Sequence, residues 1–172
     1  MDYGHGDKVT DMSVHGNVDL KKALEVSCNC YFGQLSEKLG GGLIEKYTEK
    51  TGLTESLDIN GIKTAEGTFS YPEGGVSLAW TGIGQWHDMI NPCSMMVYMG
   101  AIANEGTAVL PTIVKPTSFW DELMGRVPKI GIKTKSMIEP ETAYSLTEMM
   151  ANNVENHYGS DMFPGLSTVS YT

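Results

Sequence analysis

Val26-Ser27-Cys28-Asn29-Cys30-Tyr31-Phe32-Gly33 places a hydroxyl, a thiol, an amide and a second thiol in the middle of a helical pattern. Upstream, Leu20, Ala23 and Leu24 fall at helical spacing behind the capping candidates Asn17 and Asp19; downstream, Tyr31, Leu35 and Leu39 continue to the stop at Gly40-Gly41-Gly42. The stretch is one long helix or two joined helices. On a continuous helix, residues two apart point about 200° from each other, so Ser27 and Asn29 share a target only if the helix breaks between Ser27 and Cys30. Ser and Asn compete with helical backbone bonding and favour junctions, which makes the break physically reasonable. The alternative keeps the helix whole, with Ser27 bonded back to a carbonyl one turn earlier and Asn29 in solvent.

Outward from that stretch, residues 1–17 show no period and read as a loop or arm. Leu43 to Thr51 is a short amphipathic helix stopped at Gly52, and Asp58 to Trp80, rich in Gly, Thr and Ser, reads as a surface loop or short hairpin. The best-marked helix follows: Asn91 caps it, Pro92 opens it, Met95, Met96, Met99, Ile102 and Ala103 line one side, and Gly106 ends it. Ala108 to Lys115, broken by Pro111, fits an edge strand, and Pro128 to Ile138 alternates as a strand does. Pro140 opens a last helix running to about Asn156, and the final residues, Tyr158 to Thr172, read as loop and a strand start. No repeat, low-complexity run or internal domain boundary divides residues 1–172, which read as a single domain unit.

Composition narrows the function. With 21 acidic against 12 basic residues, a formal charge of -9 and no basic stripe, nucleic-acid binding is not expected. No apolar run is long enough to cross a bilayer, and the N-terminus lacks a signal-peptide pattern. Cys28, Cys30 and Cys93 are odd in number and leave the redox state open. Cys28-x-Cys30 lacks the second pair a zinc site usually has, so no metal or cofactor is expected.

Against that background, His15 to Leu35, H-G-N-V-D-L-K-K-A-L-E-V-S-C-N-C-Y-F-G-Q-L, resembles the stretch of penicillin-binding transpeptidases around their second active-site motif, Ser-x-Asn. Thr81 to Gln85 with N-P-C-S-M-M and G-A-I-A-N-E-G-T is similar to a later segment of the same family, and Met150 to Leu166 more weakly to the segment leading to its Lys-Thr-Gly strand. The resemblance covers most of the chain, from His15 to Leu166. It implies a mainly α fold with a few short strands, the helical lobe of the α/β transpeptidase domain without most of its central sheet. It also implies that Ser27 is a proton-relay hydroxyl, Asn29 a substrate-holding amide and Cys28 the variable middle residue.

Two of the family's three motifs are not found in place. No Ser-x-x-Lys occurs in the sequence, and Lys50-Thr51-Gly52 spells the third motif at the end of an expected helix, where a chance match is the simpler reading. The chain is therefore expected to be the span between nucleophile and final strand of a serine D,D-transpeptidase. Its partners in the full-length protein would be peptidoglycan stem peptides and β-lactams, on the extracytoplasmic side of a bacterial membrane to which the parent is anchored. The chain alone would be inactive, and its sheet-facing surface would invite self-association. Alternatives are a non-catalytic β-lactam sensor or degenerate interaction module of the same fold and, further off, a serine β-lactamase. His15 reads as a hydrogen-bonding or packing residue, the Met residues as core filler, and Trp80, Trp86 and Trp120 as packing rather than a sugar platform. The acidic pairs, such as Asp121 with Glu122 and Glu139 with Glu141, read as solvated faces.

Overall fold

A computed structural model describes residues 1–71, 73–113 and 134–162. The interrupted pattern around Ser27 is two helices, α1 (Leu20–Glu25) and α2 (Asn29–Leu39). Asp19 caps α1, its Oδ1 accepting from the Lys22 N–H at 2.8 Å. Gly40, at φ +77°, turns the chain into α3 (Gly41–Lys50), which starts two residues before the sequence suggests. A Cβ on Gly41 would meet the Tyr71 ring, so the close approach of that ring selects glycine here. Lys50-Thr51-Gly52 ends α3, with Thr51 Oγ1 donating to the Tyr47 carbonyl at 2.7 Å and Gly52 at φ +67°. It lies on no strand.

The middle stretch opens with a hairpin, β1 (Asp58–Ile59) and β2 (Ile62–Lys63), paired Asp58↔Lys63 across Asn60 and Gly61, both at positive φ as this turn class requires. Beyond it the expectation of loop is corrected: α4 (Gly75–Thr81) buries Leu78, Ala79 and Thr81. Its seven residues follow a Gly-Gly start and carry little helical propensity, so packing on α2 sustains it. Small residues permit that packing. A Cβ on Gly33 of α2 would lie 3.2 Å from the Ala79 Cβ, and one on Gly82 would run into Ser36.

α5 (Pro92–Ala103) has the predicted start, Asn91 Oδ1 accepting from the Cys93 N–H at 2.8 Å. Its buried face is corrected, however. Ser94, Val97, Ala101 and Ile102 point inward, while Met96 is 56% exposed and Ala103 is also exposed. α5 is apolar almost all round, so its partners decide which face is covered. Those partners are β3 (Thr107–Val109), which pairs antiparallel with β4 (Thr134–Ser136), and α6 (Pro140–Asn153), which continues through a π-type turn at Val154–Tyr158. β3 stops before Pro111, shorter than expected. Of the strand expected at 128–138, β4 is the described part; residues 128–133, Trp120, the Asp121-Glu122 pair and residues 163–172 lie outside the described residues.

Two clusters form the core along α5. Val97 and Ala101 meet Ala108 and Met137, and Ile102 meets Ile138, Ala143 and Met150, with Tyr98 touching both groups. Leu24 of α1 joins the second cluster. Asn153, fully buried, approaches the Leu24 carbonyl with its Nδ2 at 3.5 Å, and Asn152 donates to Glu25 Oε2 at 3.0 Å, so the end of α1 is moored to α6. The reading of methionine as core filler holds for Met137 and Met150 but is corrected at Met12, Met89, Met96 and Met162, which are more than half exposed. No described helix is long and apolar enough to cross a membrane.

Candidate active site

α1 ends in a two-bond stop made by the residues after it. The Ser27 N–H donates to the Leu24 carbonyl at 3.3 Å and the Cys28 N–H to the Ala23 carbonyl at 2.9 Å, a pattern that needs the intervening residue in the left-handed region. Glycine ordinarily fills that position. Here it is Ser27, at φ +51°, exposed to solvent. A left-handed non-glycine residue costs about 1 kcal/mol and persists where something beyond stability selects the side chain. Ser27→Gly should therefore stabilise the fold by up to about 1 kcal/mol in urea unfolding while removing the hydroxyl. Unchanged or lower stability would show that the turn carries no strain.

α2 then starts without a cap of its own, since the Cys28 side chain makes no capping bond. A residue of the N-terminal arm supplies it. Asp11 Oδ1 accepts from the Asn29 N–H at 2.5 Å, and Oδ2 accepts from the Cys30 N–H at 3.2 Å and from the Cys28 thiol at 3.4 Å. A carboxylate at this helix N-terminus meets both the orphan donors and the positive end of the dipole. The arm is pinned in turn: the Met1 ammonium donates to the Val9 carbonyl at 2.8 Å, Val9 is fully buried, and Asn29 Nδ2 donates to the Thr10 carbonyl at 3.1 Å. That bond uses one amide hydrogen of Asn29 and leaves its carbonyl oxygen and second hydrogen for another partner.

The electrostatics follow. Burial pushes the Asp11 carboxyl up, but hydrogen bonds from Cys30, the Asn29 amide and Cys28 outweigh it and hold the group below its ordinary range. Burial pushes both the Cys28 and Cys30 thiols up, and the Asp11 charge adds to this. Both thiols stay protonated at neutral pH, Cys28 donating to Asp11 Oδ2 and Cys30 to the Val9 carbonyl at 3.5 Å. A carboxyl depressed by folding contributes stability above its unfolded value, about 4, and loses that contribution as pH falls through the lower folded value. Acid unfolding should therefore flatten at the low end in Asp11→Asn relative to the parent chain, measured by circular dichroism against pH.

Structure thus places Ser27 and Asn29 on either side of one junction, the hydroxyl in solvent and the amide tethered at the first turn of α2. His15 Nε2 lies 2.9 Å from Ser13 Oγ and Nδ1 lies 4.0 Å from Asp11 Oδ2, a hydrogen-bonding role at the edge of this junction. Trp80 is half-buried, and Trp86, at φ +74°, is exposed with its ring edge on His87. An apolar cavity of about 290 Å³ lies farther along α2, against Phe32, Leu35 and Ser36.

Over residues 2–168 the sequence matches the penicillin binding protein transpeptidase domain. The chain belongs to that family. Its fold is shared with penicillin-binding protein A from Mycobacterium tuberculosis at a TM-score of 0.71 and 24% identity, covering 90% of this chain and 37% of that one. The ceftriaxone acyl-enzyme complex of that protein aligns at 0.73 and 24%, over 90% of this chain and 35% of that one. A peptidoglycan glycosyltransferase from Burkholderia ambifaria aligns at 0.68 and 17%, over 86% and 44%. The chain spans little more than a third of the length of the penicillin-binding protein A structures. The transpeptidase family assignment accounts for the mainly helical architecture, with two small sheets among the described residues, the helical lobe of the transpeptidase fold.

Sequence reasoning missed Asp11. It sits in an aperiodic arm 18 residues before Asn29, and no local pattern marks it as the cap of α2.

Proposed function

We propose that residues 1–172 form one wall of the catalytic cleft of a serine D,D-transpeptidase, with Ser27 and Asn29 as its working pair. The observation that carries this is the left-handed Ser27. The chain accepts backbone strain to put a hydroxyl, rather than a glycine, at the tip of the α1–α2 junction. In such a reaction a serine nucleophile attacks the carbonyl of a stem-peptide D-Ala-D-Ala bond, forms an acyl-enzyme and releases the terminal D-Ala; a second peptide's amine then takes the acyl group. In this reading the Ser27 hydroxyl accepts a proton on one side and donates one on the other, carrying it toward the leaving amine. Asn29 offers an amide N–H and a carbonyl oxygen, the pair needed to align a substrate amide. β-Lactams would enter as mimics of the same amide.

The nucleophile and the oxyanion donors come from elements outside this wall, so residues 1–172 alone form no covalent adduct. The wall works on the extracytoplasmic face of a bacterial membrane, where peptidoglycan is assembled. The exposed apolar side chains Met12, Val14, Met96 and Ile113 support the reading that it self-associates when it stands alone.

Intact-mass measurement after incubation with benzylpenicillin tests the reading. The chain alone should stay at its own mass, and a domain in which these residues replace the matching span of an active transpeptidase should gain one penicilloyl group. An adduct on the isolated chain, or none on the assembled domain, contradicts it.

A further inference from the structure

Asp11, His15 and Cys28 converge beside the Ser27–Asn29 junction. One ligand-type atom from each lies within 4.8 Å of the other two, with Cys28 Sγ 3.4 Å and His15 Nδ1 4.0 Å from Asp11 Oδ2. Ligands of a tetrahedral zinc stand roughly 3.3 to 3.8 Å apart, given metal–ligand bonds of about 2.0 to 2.3 Å. The Asp11–Cys28 edge already has that length, and the remaining closure falls on His15, whose imidazole is carried by a loop.

Three further features fit a metal. His15 Nδ1 is buried beside the carboxylate and thiol and has no hydrogen-bond partner. The other ring nitrogen, Nε2, is 2.9 Å from Ser13 Oγ. With Nε2–H donating to that oxygen, the tautomer has Nδ1 as its lone-pair nitrogen, the arrangement by which an outer partner orients a histidine ligand. Asp11 Oδ1 is held by the Asn29 N–H, so Oδ2 can face a metal while the carboxylate stays oriented. The site is also well covered, with Cys28 5% exposed.

We propose that Asp11, His15 and Cys28 bind a thiophilic divalent cation of the Zn(II) or Co(II) kind, with water in the fourth position. One imidazole, one thiolate and one carboxylate suit such an ion and disfavour Mg²⁺ or Ca²⁺. On binding, the Cys28 thiol now directed at Asp11 gives its proton to solvent, and carboxylate plus thiolate neutralise the two positive charges of the ion. Because Cys28 separates Ser27 from Asn29, an occupied site fixes the junction that carries both. The proposal does not depend on the transpeptidase reading, since the ligands and their geometry stand without it.

Cobalt titration of the chain is the test. One equivalent of Co(II) should produce a thiolate-to-cobalt charge-transfer band and tetrahedral visible bands, both abolished by excess Zn(II). Cys28→Ser should abolish the charge-transfer band, and Cys93→Ser should leave it unchanged. Ser13→Ala, which removes only the orienting partner of His15, should weaken Zn(II) binding by about 10-fold or more. Should Cys28→Ser fail to fold by circular dichroism, His15→Gln provides the second variant, with loss of the tetrahedral bands expected. No charge-transfer band in the parent chain, a band that survives Cys28→Ser, a band lost with Cys93→Ser, or tetrahedral bands unchanged in His15→Gln overturns the proposal.

Discussion

Asp11→Ala will destabilise the chain by about 3 kcal/mol. The loss of a side-chain cap from a helix N-terminus accounts for up to about 2 kcal/mol, and stranding half-buried donors at Asn29, Cys30 and Cys28 adds about 1 kcal/mol or more. The N-terminal arm itself is tied down by the Met1–Val9 and Asn29–Thr10 bonds, so it will not relax to let water replace the carboxylate easily. Asp11→Asn keeps an acceptor for the Asn29 N–H and loses the charge, so its cost should be about half as large. Urea unfolding at neutral pH measures both. Equal and small effects in the two variants would mean that α2 does not need this cap.

The second large effect is expected at Gly106. It stands at φ +83° between α5 and β3, its N–H donating to the Ala101 carbonyl at 2.8 Å and its carbonyl accepting from the Met137 N–H at 2.9 Å. A Cβ at this point would strike the Ile138 carbonyl, which is backbone and cannot swing aside. Gly106→Ala combines a left-handed alanine, about 1 kcal/mol, with overpacking of about 1 to 3 kcal/mol, so a loss of about 3 kcal/mol is expected in thermal or urea unfolding. Because Ile138 belongs to the cluster that also holds Leu24, Ala143 and Met150, the damage should spread to the mooring of α1 on α6. Gly100→Ala, on an exposed face of α5 with open space around its Cβ position, is the matching control and should be neutral or stabilising.

These two residues also mark what the sequence made legible. Gly106, Asn91 and Pro92 are local punctuation, and each acts within a few residues of its own position; the bounds of α5 could be read from them. The break at Ser27 was open between two readings, because the same residues suit a strained junction or a helix interior. What resolves it is tertiary: Leu24 packs into the core with α6, and Asp11 caps α2 from 18 residues away. α4 was invisible for a related reason. Its stability rests on Gly33 and Ser36 of α2 accepting Ala79 and Gly82 at close range, and a seven-residue window holds no trace of those neighbours. The methionines of α5 misled because an apolar residue type does not say which apolar face is covered. Asp11 carried no periodic or motif signal at all; His15 and Cys28 stand in the family-like stretch, but nothing in it joins them to Asp11.

The proposed function makes the Ser27 hydroxyl and the Asn29 amide working groups of a transpeptidase cleft. The most direct test uses the assembled domain, in which these residues replace the matching span of an active transpeptidase, and measures the rate constant of acylation by benzylpenicillin for Ser27 and for Ser27→Ala. Loss of a general acid–base relay predicts a fall of about 100- to 10,000-fold with the fold intact by circular dichroism. Acylation at the parent rate in Ser27→Ala would contradict the claim and leave Ser27 as a strained turn residue without a catalytic part.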